Sequence, residues 1–389
     1  MEHVLESGMP PVGTLVTARG RSQGFGGRTS DSEHLRIAVL APPWFPIPPR
    51  RYGGTEAVVN LLVEGLVAEG HDVTLFASGD STTSASLVAY FDAARPDELG
   101  STQPDMLQAL SCVIEADRFD VVSDHTGALG LSLSNLTSTP FLNTVHGTLA
   151  GEAGALYRQV CALTPGAALV SLTESHRGTA GDLPWAATIP NAIALDDHPC
   201  RERSGGEYLF WLGRMSVDKG PVTAIEVARA AGMPLLLAGK LRAADEQRYF
   251  EEEVEPLLGG DIAYLGEIDL HERVRLMHGA RALINPIAWD EPFGLVMVEA
   301  MACGVPVVAT PRGSVPEIVR DGQNGWIAST VDELAAAVER CDEIDPSECR
   351  AIAELCYSPE RMVSDYLDAF DDVIGRVRGR SLLPQRTSA

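Results

Sequence analysis

The chain has 389 residues, enough for two or three domains, and its 45% hydrophobic and 22% charged content is that of a globular protein. Its formal net charge of −24 argues against a nucleic-acid-binding or anionic-membrane-binding surface, because both need a basic footprint. No apolar run approaches the roughly 18–20 residues that span a bilayer.

Both ends of the chain differ in composition from the rest. The N-terminal segment is rich in Gly, Ser, Thr and Arg and has no continuous apolar stretch, so it lacks the core of a signal peptide. We predict a disordered extension over residues 1–34 and a flexible tail over residues 378–389. The seven cysteines form no CxxC pair, which predicts reduced thiols in a cytoplasmic protein.

The N-terminal half begins with alternating strands and helices. Residues 35–41 form an apolar strand, a proline-rich loop follows, and Gly53 and Gly54 precede an amphipathic helix. A second apolar strand occupies residues 71–77. This order predicts a βαβ unit in a parallel, doubly wound sheet. The two glycines either let a ligand approach the backbone closely or form a simple tight turn.

Two histidines follow later strands of the same half. Residues 120–123 and 140–145 have the composition of buried strands, and His125 and His146 come just after them. Residues past the carboxyl ends of parallel strands face the ligand crevice in such sheets. A lone histidine in a loop is commonly structural, but two at equivalent strand ends indicate a shared site.

The alternation of strands and helices starts again after a polar linker at residues 196–206. The predicted strands are residues 208–212, 234–239, 262–266, 282–286 and 306–310, with a short edge strand at 325–328. The predicted helices are residues 222–231, 243–258 and 331–340, with a final helix at 359–377. A restart after a linker predicts two domains that face each other rather than one enlarged sheet.

Two cations lie in the first loop of the second half. Arg214 and Lys219 follow the strand at residues 208–212, where a diphosphate would need positive charge. In so acidic a chain, two cations in a crevice loop indicate an anion site. The alternative is a pair of solvated surface side chains.

The most informative stretch runs from Glu291 to Glu299. It joins a buried strand to a helix, so Glu291 lies in the loop and Glu299 in the first turns of the helix. The N–H groups of Phe293, Gly294 and Leu295 would open that helix and suit a phosphate. Two carboxylates beside a phosphate suit a polyol, because carboxylates accept hydrogen bonds from neighbouring hydroxyl groups. The alternative is an ordinary strand–loop–helix with a buried capping glutamate.

Together these motifs resemble the retaining glycosyltransferases of family GT4, which have the GT-B fold. The resemblance covers roughly residues 35–370, and its most specific part, Glu291 through Glu299, looks like the E-x7-E motif of that family. Arg214 and Lys219 match the family's phosphate-binding pair, and residues 52–56 match its N-domain glycine loop. The subgroup it resembles includes an avilamycin-pathway glycosyltransferase and tetrahydrobiopterin glucosyltransferases.

The resemblance implies a role for each matched residue. The residues implied at the reacting centre are Glu291, His146, Arg214 and Lys219, with His125 as a further candidate. The residues implied in donor and nucleotide binding are Glu299, Gly53, Gly54, Phe293, Gly294, Leu295, Gly266, Glu267 and Ile268. Glu299 would bind the ribose hydroxyl groups and Glu291 those of the donor sugar, while residues 266–268 would line the base. Two positions depart from the pattern: Asn191 lacks the usual following glycine and is not assigned to the site, and His176 stands where relatives often have Gln.

The predicted fold class is α/β, a GT-B fold of two Rossmann-like doubly wound domains facing across a cleft. An acceptor domain would span residues 35–192, completed by the helix at 359–377, and a nucleotide-sugar domain would span residues 193–356. The predicted activity is retaining transfer of a hexose from a nucleotide diphosphate sugar, with a UDP-sugar favoured, to a hydroxyl group of a small molecule, natural product or glycan. The sequence defines neither the acceptor nor the oligomeric state.

The crevice loops of the second half contain no Asp-x-Asp motif. Arg214, Lys219 and a helix end can stabilise a departing diphosphate, so we predict no metal site and no cofactor beyond the nucleotide-sugar co-substrate. No carboxylate stands out as a base, which favours a donor phosphate oxygen as proton acceptor. Two alternatives stay open: a nucleotide-sugar epimerase or phosphorylase on the same fold, and a non-catalytic subunit that binds a sugar nucleotide.

Overall fold

The computed structural model describes residues 34–51 and 53–381, with side chains through Val377. The predicted N-terminal extension therefore lies outside the described residues, except for His34. Tyr52 of the glycine loop and residues 382–389 of the predicted tail also lie outside them. The described chain forms two parallel sheets, one from each half, as the alternation of strands and helices predicts.

The first sheet is built from the N-terminal half. Its strands are β1 Arg36–Leu40, β2 Asp72–Phe76, β3 Ser86–Val88, β4 Val121–Asp124, β5 Phe141–Thr144, β6 Leu169–Ser171 and β7 Trp185–Thr188. Its helices are α1 Gly54–Ala68, α2 Thr102–Glu115, α3 Ala128–Leu133, α4 Gly151–Leu163 and α5 Glu174–Gly178. The strands are parallel in the order β3-β2-β1-β4-β5-β6-β7. Strands β2 and β3 are therefore added on one side of β1, and strands β4 to β7 on its other side.

The second sheet follows the same plan. Its strands are β8 Tyr208–Leu212, β9 Leu235–Ala238, β10 Ile262–Tyr264, β11 Ala280–Asn285, β12 Val307–Ala309 and β13 Gly325–Ile327. Its helices are α6 Pro221–Ala230, α7 Ala244–Tyr249, α8 Leu270–Gly279, α9 Leu295–Ala302, α10 Val315–Ile318, α11 Val331–Glu339 and α12 Pro346–Tyr357. The parallel order is β10-β9-β8-β11-β12-β13, which places β13 at an edge as predicted. Strands β9 and β10 are added on one side of β8, and strands β11 to β13 on its other side.

The central strands are mainly apolar because helices cover both faces of each sheet. In β1, Ile37 and Val39 point to the core that contains Leu62 of α1, while Ala38 and Leu40 belong to a separate cluster on the opposite face. All four of these β1 side chains are fully buried. A central strand that is buried on both faces therefore has an uninterrupted apolar sequence.

The last helix, α13 (Pro359–Ser381), returns to the N-terminal sheet. Met362, Tyr366 and Phe370 are buried in the same core as α1. The hydroxyl group of Tyr366 is hydrogen-bonded to Thr144 Oγ1 of β5 at 2.8 Å. The helix continues past its predicted end at residue 377 to residue 381, so the first residues of the predicted flexible tail are helical.

The predicted helix at residues 243–258 is a composite element. After α7 the chain forms a π-helical turn at Phe250–Val254 and a 3₁₀ turn at Glu255–Leu257. Pro256 lies in that last turn and cannot donate the N–H that a continuing α-helix requires. The short strands β3 and β7 were not predicted. Each lies at a sheet edge and is only partly buried, so its apolar signal is weak.

Candidate functional site

A cavity of about 710 Å³ lies between the two sheets, beside the loops that follow their strands. The predicted site residues that line it are Gly53, Gly54, His146, Arg214, Lys219, Glu267, Ile268, Glu291, Phe293, Gly294, Leu295 and Glu299. Gly266 and His125 are not among its lining residues. The loops that follow β8 and β11 supply part of the lining. These two strands are neighbours at the point where the order of strand addition changes side. This is the position where open parallel sheets bind ligands.

Lys219 lines the cavity. Its carbonyl oxygen accepts a hydrogen bond from the Trp211 indole N–H at 3.1 Å, which ties the end of the loop back to β8. Its ammonium group forms an ion pair with Glu291 and lies 5.3 Å from the ring centroid of Trp289. The side chain is only 15% exposed, so the charge is held in the cavity wall rather than in bulk solvent.

Arg214, the second predicted cation, lies near the start of the same loop, just after β8. Its guanidinium donates to Asp218 Oδ2 at 3.1 Å and lies 3.9 Å from Glu246 Oε1. The side chain is 35% exposed, and an exposed pair of this kind contributes little to stability, so Asp218 can release the guanidinium at small cost. Arg214 is therefore available to an anion that enters the cavity.

Glu291 is held rigidly by backbone contacts. Its carbonyl oxygen accepts from the Ser314 N–H at 3.0 Å, and Gly313 lies so close that a Cβ atom there would be 2.4 Å from the Glu291 nitrogen. Gly313 also has φ of +52°, a conformation that disfavours other residues. Of the two carboxylate oxygens, Oε1 is paired with Lys219, whereas Oε2 is buried without a hydrogen-bond partner in the described part of the chain. Such an oxygen is ready to accept a hydrogen bond from a ligand.

Glu299 lies on α9 and is paired with Arg273, a residue that the sequence motifs do not indicate. Arg273 Nη1 donates to Glu299 Oε1 at 2.6 Å, and the two side chains are 20% and 11% exposed. Arg273 lies in the first turn of α8, a helix that was not predicted. The signal was present, because Asp269 caps this helix by accepting from the Glu272 N–H at 2.8 Å.

The N-terminal ends of α1 and α9 face each other across the cavity. Gly294 immediately precedes α9 with φ of +87°, and the helix begins at Leu295, so Phe293 lies before the helix rather than in its first turn. A Cβ atom on Gly54, the first residue of α1, would be 3.1 Å from Leu295 Cδ1. The small size of Gly54 therefore lets the two domains approach closely. Free N–H groups of two helix ends point toward the same space.

The two predicted histidines occupy different positions. His146 lines the cavity, whereas His125 is 3% exposed and lies behind it. His125 Nδ1 is 2.8 Å from His146 Nε2, and His125 Nε2 is 3.0 Å from Ser123 Oγ. Burial lowers the pKa of His146 to about 4 and also lowers that of His125, so both rings are neutral near pH 7.

The short helix α5 connects the two domains beside the site. Thr173, which caps this helix, donates from Oγ1 to the Pro292 carbonyl oxygen at 3.0 Å, next to Glu291. Glu317 of α10 accepts hydrogen bonds from two backbone N–H groups of α5, at 2.9 and 2.6 Å. His176 Nε2 is 2.9 Å from the Gly147 carbonyl oxygen, next to His146. His176 therefore has a structural role at the position where the resemblance led us to expect glutamine.

Several lining residues were not predicted. They are Arg50, Arg51, Asn191, His198, Lys240, Arg273 and Trp289. Asn191, which the motif pattern does not assign to the site, is 6% exposed and lines the cavity. Apart from Arg273 on α8, these residues lie outside the named strands and helices, where no periodic pattern marks the direction of a side chain.

No group of three or more His, Cys, Asp or Glu side chains is arranged to hold a metal ion in residues 34–51 and 53–381. Within the same residues, no helix combines the length and the apolar character needed to cross a membrane.

Two family descriptions match consecutive parts of the chain. Residues 52–193 match Glycosyltransferase Family 4, and residues 197–354 match Glycosyl transferases group 1. The first match contains strands β2 to β7 of the N-terminal sheet, and the second contains all six strands of the C-terminal sheet. The two matches therefore meet where the chain passes from one sheet to the other.

Individual proteins are similar over most of the chain. Glycogen synthase of Mycobacterium tuberculosis is 28% identical over 384 residues, which cover 85% of this chain and 91% of the relative. An uncharacterised glycosyltransferase of Methanocaldococcus jannaschii is 23% identical over 354 residues, covering 79% and 88%.

Solved structures show the same architecture. AviGT4, a glycosyltransferase involved in avilamycin A biosynthesis, superimposes with a TM-score of 0.67 at 23% identity, covering 88% of this chain and 98% of that one. HepE of Anabaena, solved in complex with UDP and glucose, gives a TM-score of 0.67 at 20% identity, covering 87% and 100%. The predicted GT-B fold, with two Rossmann-like domains, is confirmed.

Proposed function

The chain belongs to glycosyltransferase family 4, as its motifs predict, and we propose that it transfers a hexose from a UDP-sugar to an acceptor hydroxyl group with retention of the anomeric configuration. The observation that carries the proposal is the grouping of two cations, a helix N-terminus and two carboxylates in one cavity. The cations and the helix end suit a diphosphate, and the carboxylates suit the hydroxyl groups on either side of it. A nucleoside diphosphate sugar has this sequence of groups.

The diphosphate would lie between Lys219, Arg214 and the start of α9. When the bond between the sugar and the diphosphate breaks, negative charge grows on the leaving oxygen, and preorganised cations stabilise it. Lys219 is paired with Glu291 in the free protein, so a bound diphosphate would share or take over the ammonium group. We propose that this stabilisation suffices without a metal ion.

Glu291 and Glu299 would fix the two ends of the donor. Glu299, oriented by Arg273, would accept hydrogen bonds from the ribose hydroxyl groups. Glu291 would use its unpartnered Oε2 for a hydroxyl group of the sugar. Arg273 and Lys219 already occupy one oxygen of each carboxylate, which leaves the other oxygen for the ligand.

We base the proposed retaining outcome on how the carboxylates that line the cavity are engaged. Inversion needs a group that removes the acceptor proton while the acceptor attacks opposite the leaving group. Four carboxylates of the described residues line the cavity. Glu291 and Glu299 are paired with cations, and Glu267 is paired with Arg242 at 2.8 Å. The fourth, Asp197, is an exposed residue of the domain linker. We propose that a donor phosphate oxygen accepts the acceptor proton, on the face where the leaving group departs.

A panel of nucleotide sugars, screened by thermal shift and followed by mass spectrometry of products with candidate hydroxyl acceptors, would test this function. Proton NMR of the anomeric coupling would then compare donor and product, with and without EDTA. We expect a single added hexose, the donor's anomeric configuration, and activity that survives EDTA.

Three outcomes would contradict the proposal. An inverted product would mean that a base had been overlooked, with His146 the first candidate, and loss of activity in EDTA would mean an unrecognised metal site. Conversion of the sugar nucleotide to its epimer without any acceptor would indicate an epimerase instead.

A further inference from the structure

Three hydrogen-bonded side chains form a row from the interior of the N-terminal sheet to the cavity. Ser123 is on β4, an inner strand paired with β1 and β5, and is fully buried. Its Oγ is 3.0 Å from His125 Nε2, and His125 Nδ1 is 2.8 Å from His146 Nε2. His146 lines the cavity, and its Nδ1 makes no hydrogen bond to any described residue. The row of side chains therefore ends at His146 Nδ1, which has no protein partner among those residues.

Only two arrangements of hydrogen atoms fit these distances. Two bare ring nitrogens at 2.8 Å would repel each other, so one of the pair carries a proton. If His125 donates, His146 Nε2 accepts and the neutral His146 ring has its proton on Nδ1. If His146 donates, its proton is on Nε2, its Nδ1 is bare, and His125 Nε2 must carry the proton of the His125 ring.

The serine hydroxyl group decides between these arrangements. In the first, Ser123 Oγ–H donates to the bare His125 Nε2 and His125 Nδ1–H donates to His146 Nε2, so the buried donors of Ser123 and His125 both have an acceptor. In the second, His125 Nε2–H donates to Ser123, and the serine proton has no other acceptor among the described residues. A fully buried hydroxyl donor without a partner is costly, so the first arrangement is favoured.

We propose that Ser123 and His125 are positioning residues that hold His146 with its proton on Nδ1, so that His146 donates a hydrogen bond to an oxygen of the bound donor. The inference rests on the proposed function for the identity of that oxygen, but the tautomer follows from this protein's own contacts. A ring whose only lone pair is already engaged by His125 cannot remove a proton from the acceptor. Burial supports this role, because it lowers the pKa values of both rings and keeps them neutral.

The tautomer is measurable without turnover. Long-range ¹H–¹⁵N NMR of histidine-labelled protein distinguishes protonated from bare ring nitrogens, and a His146→Gln spectrum would assign the resonances of His146. We expect a protonated Nδ1 and a bare Nε2 in the parent protein. In Ser123→Ala the preference should weaken, giving resonances averaged between the two tautomers. A bare Nδ1 in the parent protein, or an unchanged tautomer in Ser123→Ala, would overturn the inference.

A matched pair of variants at His125 tests the positioning role kinetically. In His125→Asn the side-chain amide can place an N–H near the position of Nδ1, whereas His125→Leu fills a similar volume without a donor. We expect His125→Leu to lower kcat/KM by about 10- to 100-fold, the range seen when the partner that orients a metal-bound histidine is removed. His125→Asn should recover most of that loss. Equal activity in the two variants, with both folded by circular dichroism, would contradict the positioning role.

The two measurements separate this inference from the proposed function. A protonated Nδ1 with no activity on any nucleotide sugar would support the tautomer and overturn the proposed function. Retaining transfer by a protein with a bare Nδ1 would support the proposed function and overturn the inference. Purified full-length protein serves for both experiments.

Discussion

Replacing Glu299 by glutamine tests the predicted ribose contact. In the free protein its carboxylate is 11% exposed and accepts from Arg273 at 2.6 Å. Glutamine keeps the shape of the side chain and one acceptor oxygen but removes the negative charge. The variant should therefore retain the fold while losing the charge-assisted part of its hydrogen bonds to ribose hydroxyl groups.

The size of the loss follows from the character of these hydrogen bonds. Removing a charged hydrogen bond in a partly buried site costs about 1–3 kcal/mol, which corresponds to roughly a 5- to 150-fold weaker Kd. The lower end applies if the glutamine oxygen still accepts from one hydroxyl group. The upper end applies if loss of the ion pair also lets Arg273 turn away from the site.

Calorimetry with UDP and with 2′-deoxy-UDP isolates the ribose contact. The parent protein should bind UDP more tightly than the deoxy compound, and Glu299→Gln should discriminate between the two less strongly. Glu272→Gln is the matched control, because it removes a solvent-exposed Glu–Arg pair on α8 and should leave UDP affinity unchanged. An unaltered UDP affinity in Glu299→Gln, or full discrimination between the two ligands, would place Glu299 away from the ribose.

Three further substitutions have expected outcomes. Lys219→Ala should lower kcat on the order of 100-fold and raise the donor KM by a smaller factor, because the cation stabilises negative charge that grows in the transition state. A change in KM alone would mean that Lys219 only binds the donor. Burial lowers the pKa of His176 from 6.5 to about 4, so between these values the unfolded chain binds a proton that the folded chain does not. The parent protein should therefore lose about 3 kcal/mol of stability relative to His176→Gln as the pH falls through that window, and parallel pH profiles in urea unfolding would contradict this. Gly54→Val should lower kcat/KM about tenfold by pressing on Leu295 across the cavity, whereas Gly54→Ala should stay near the parent value; equal kinetics for both would mean that the close approach at Gly54 is unimportant.

The sequence by itself determined the class of fold and the position of the site along the chain. Strands buried on both faces are uninterrupted apolar runs, so β1, β8 and β11 are visible without a structure. Ligands bind past the carboxyl ends of such strands, so Arg214 and Glu291 could be assigned to the cavity from their place after a strand. These inferences depend only on local periodicity and on the rule that follows from parallel strands.

Only the tertiary structure decided which side chains meet. Lys219 and Glu291 are 72 positions apart in the chain, and Arg273 and Glu299 are 26 apart, yet each pair shares a hydrogen bond. His125 looked equivalent to His146 in the sequence, but the register of β4 and β5 places it behind that residue, in contact with Ser123. Strand order, register and helix packing are set by the whole core, so the partner of a polar side chain is not encoded in the residues next to it.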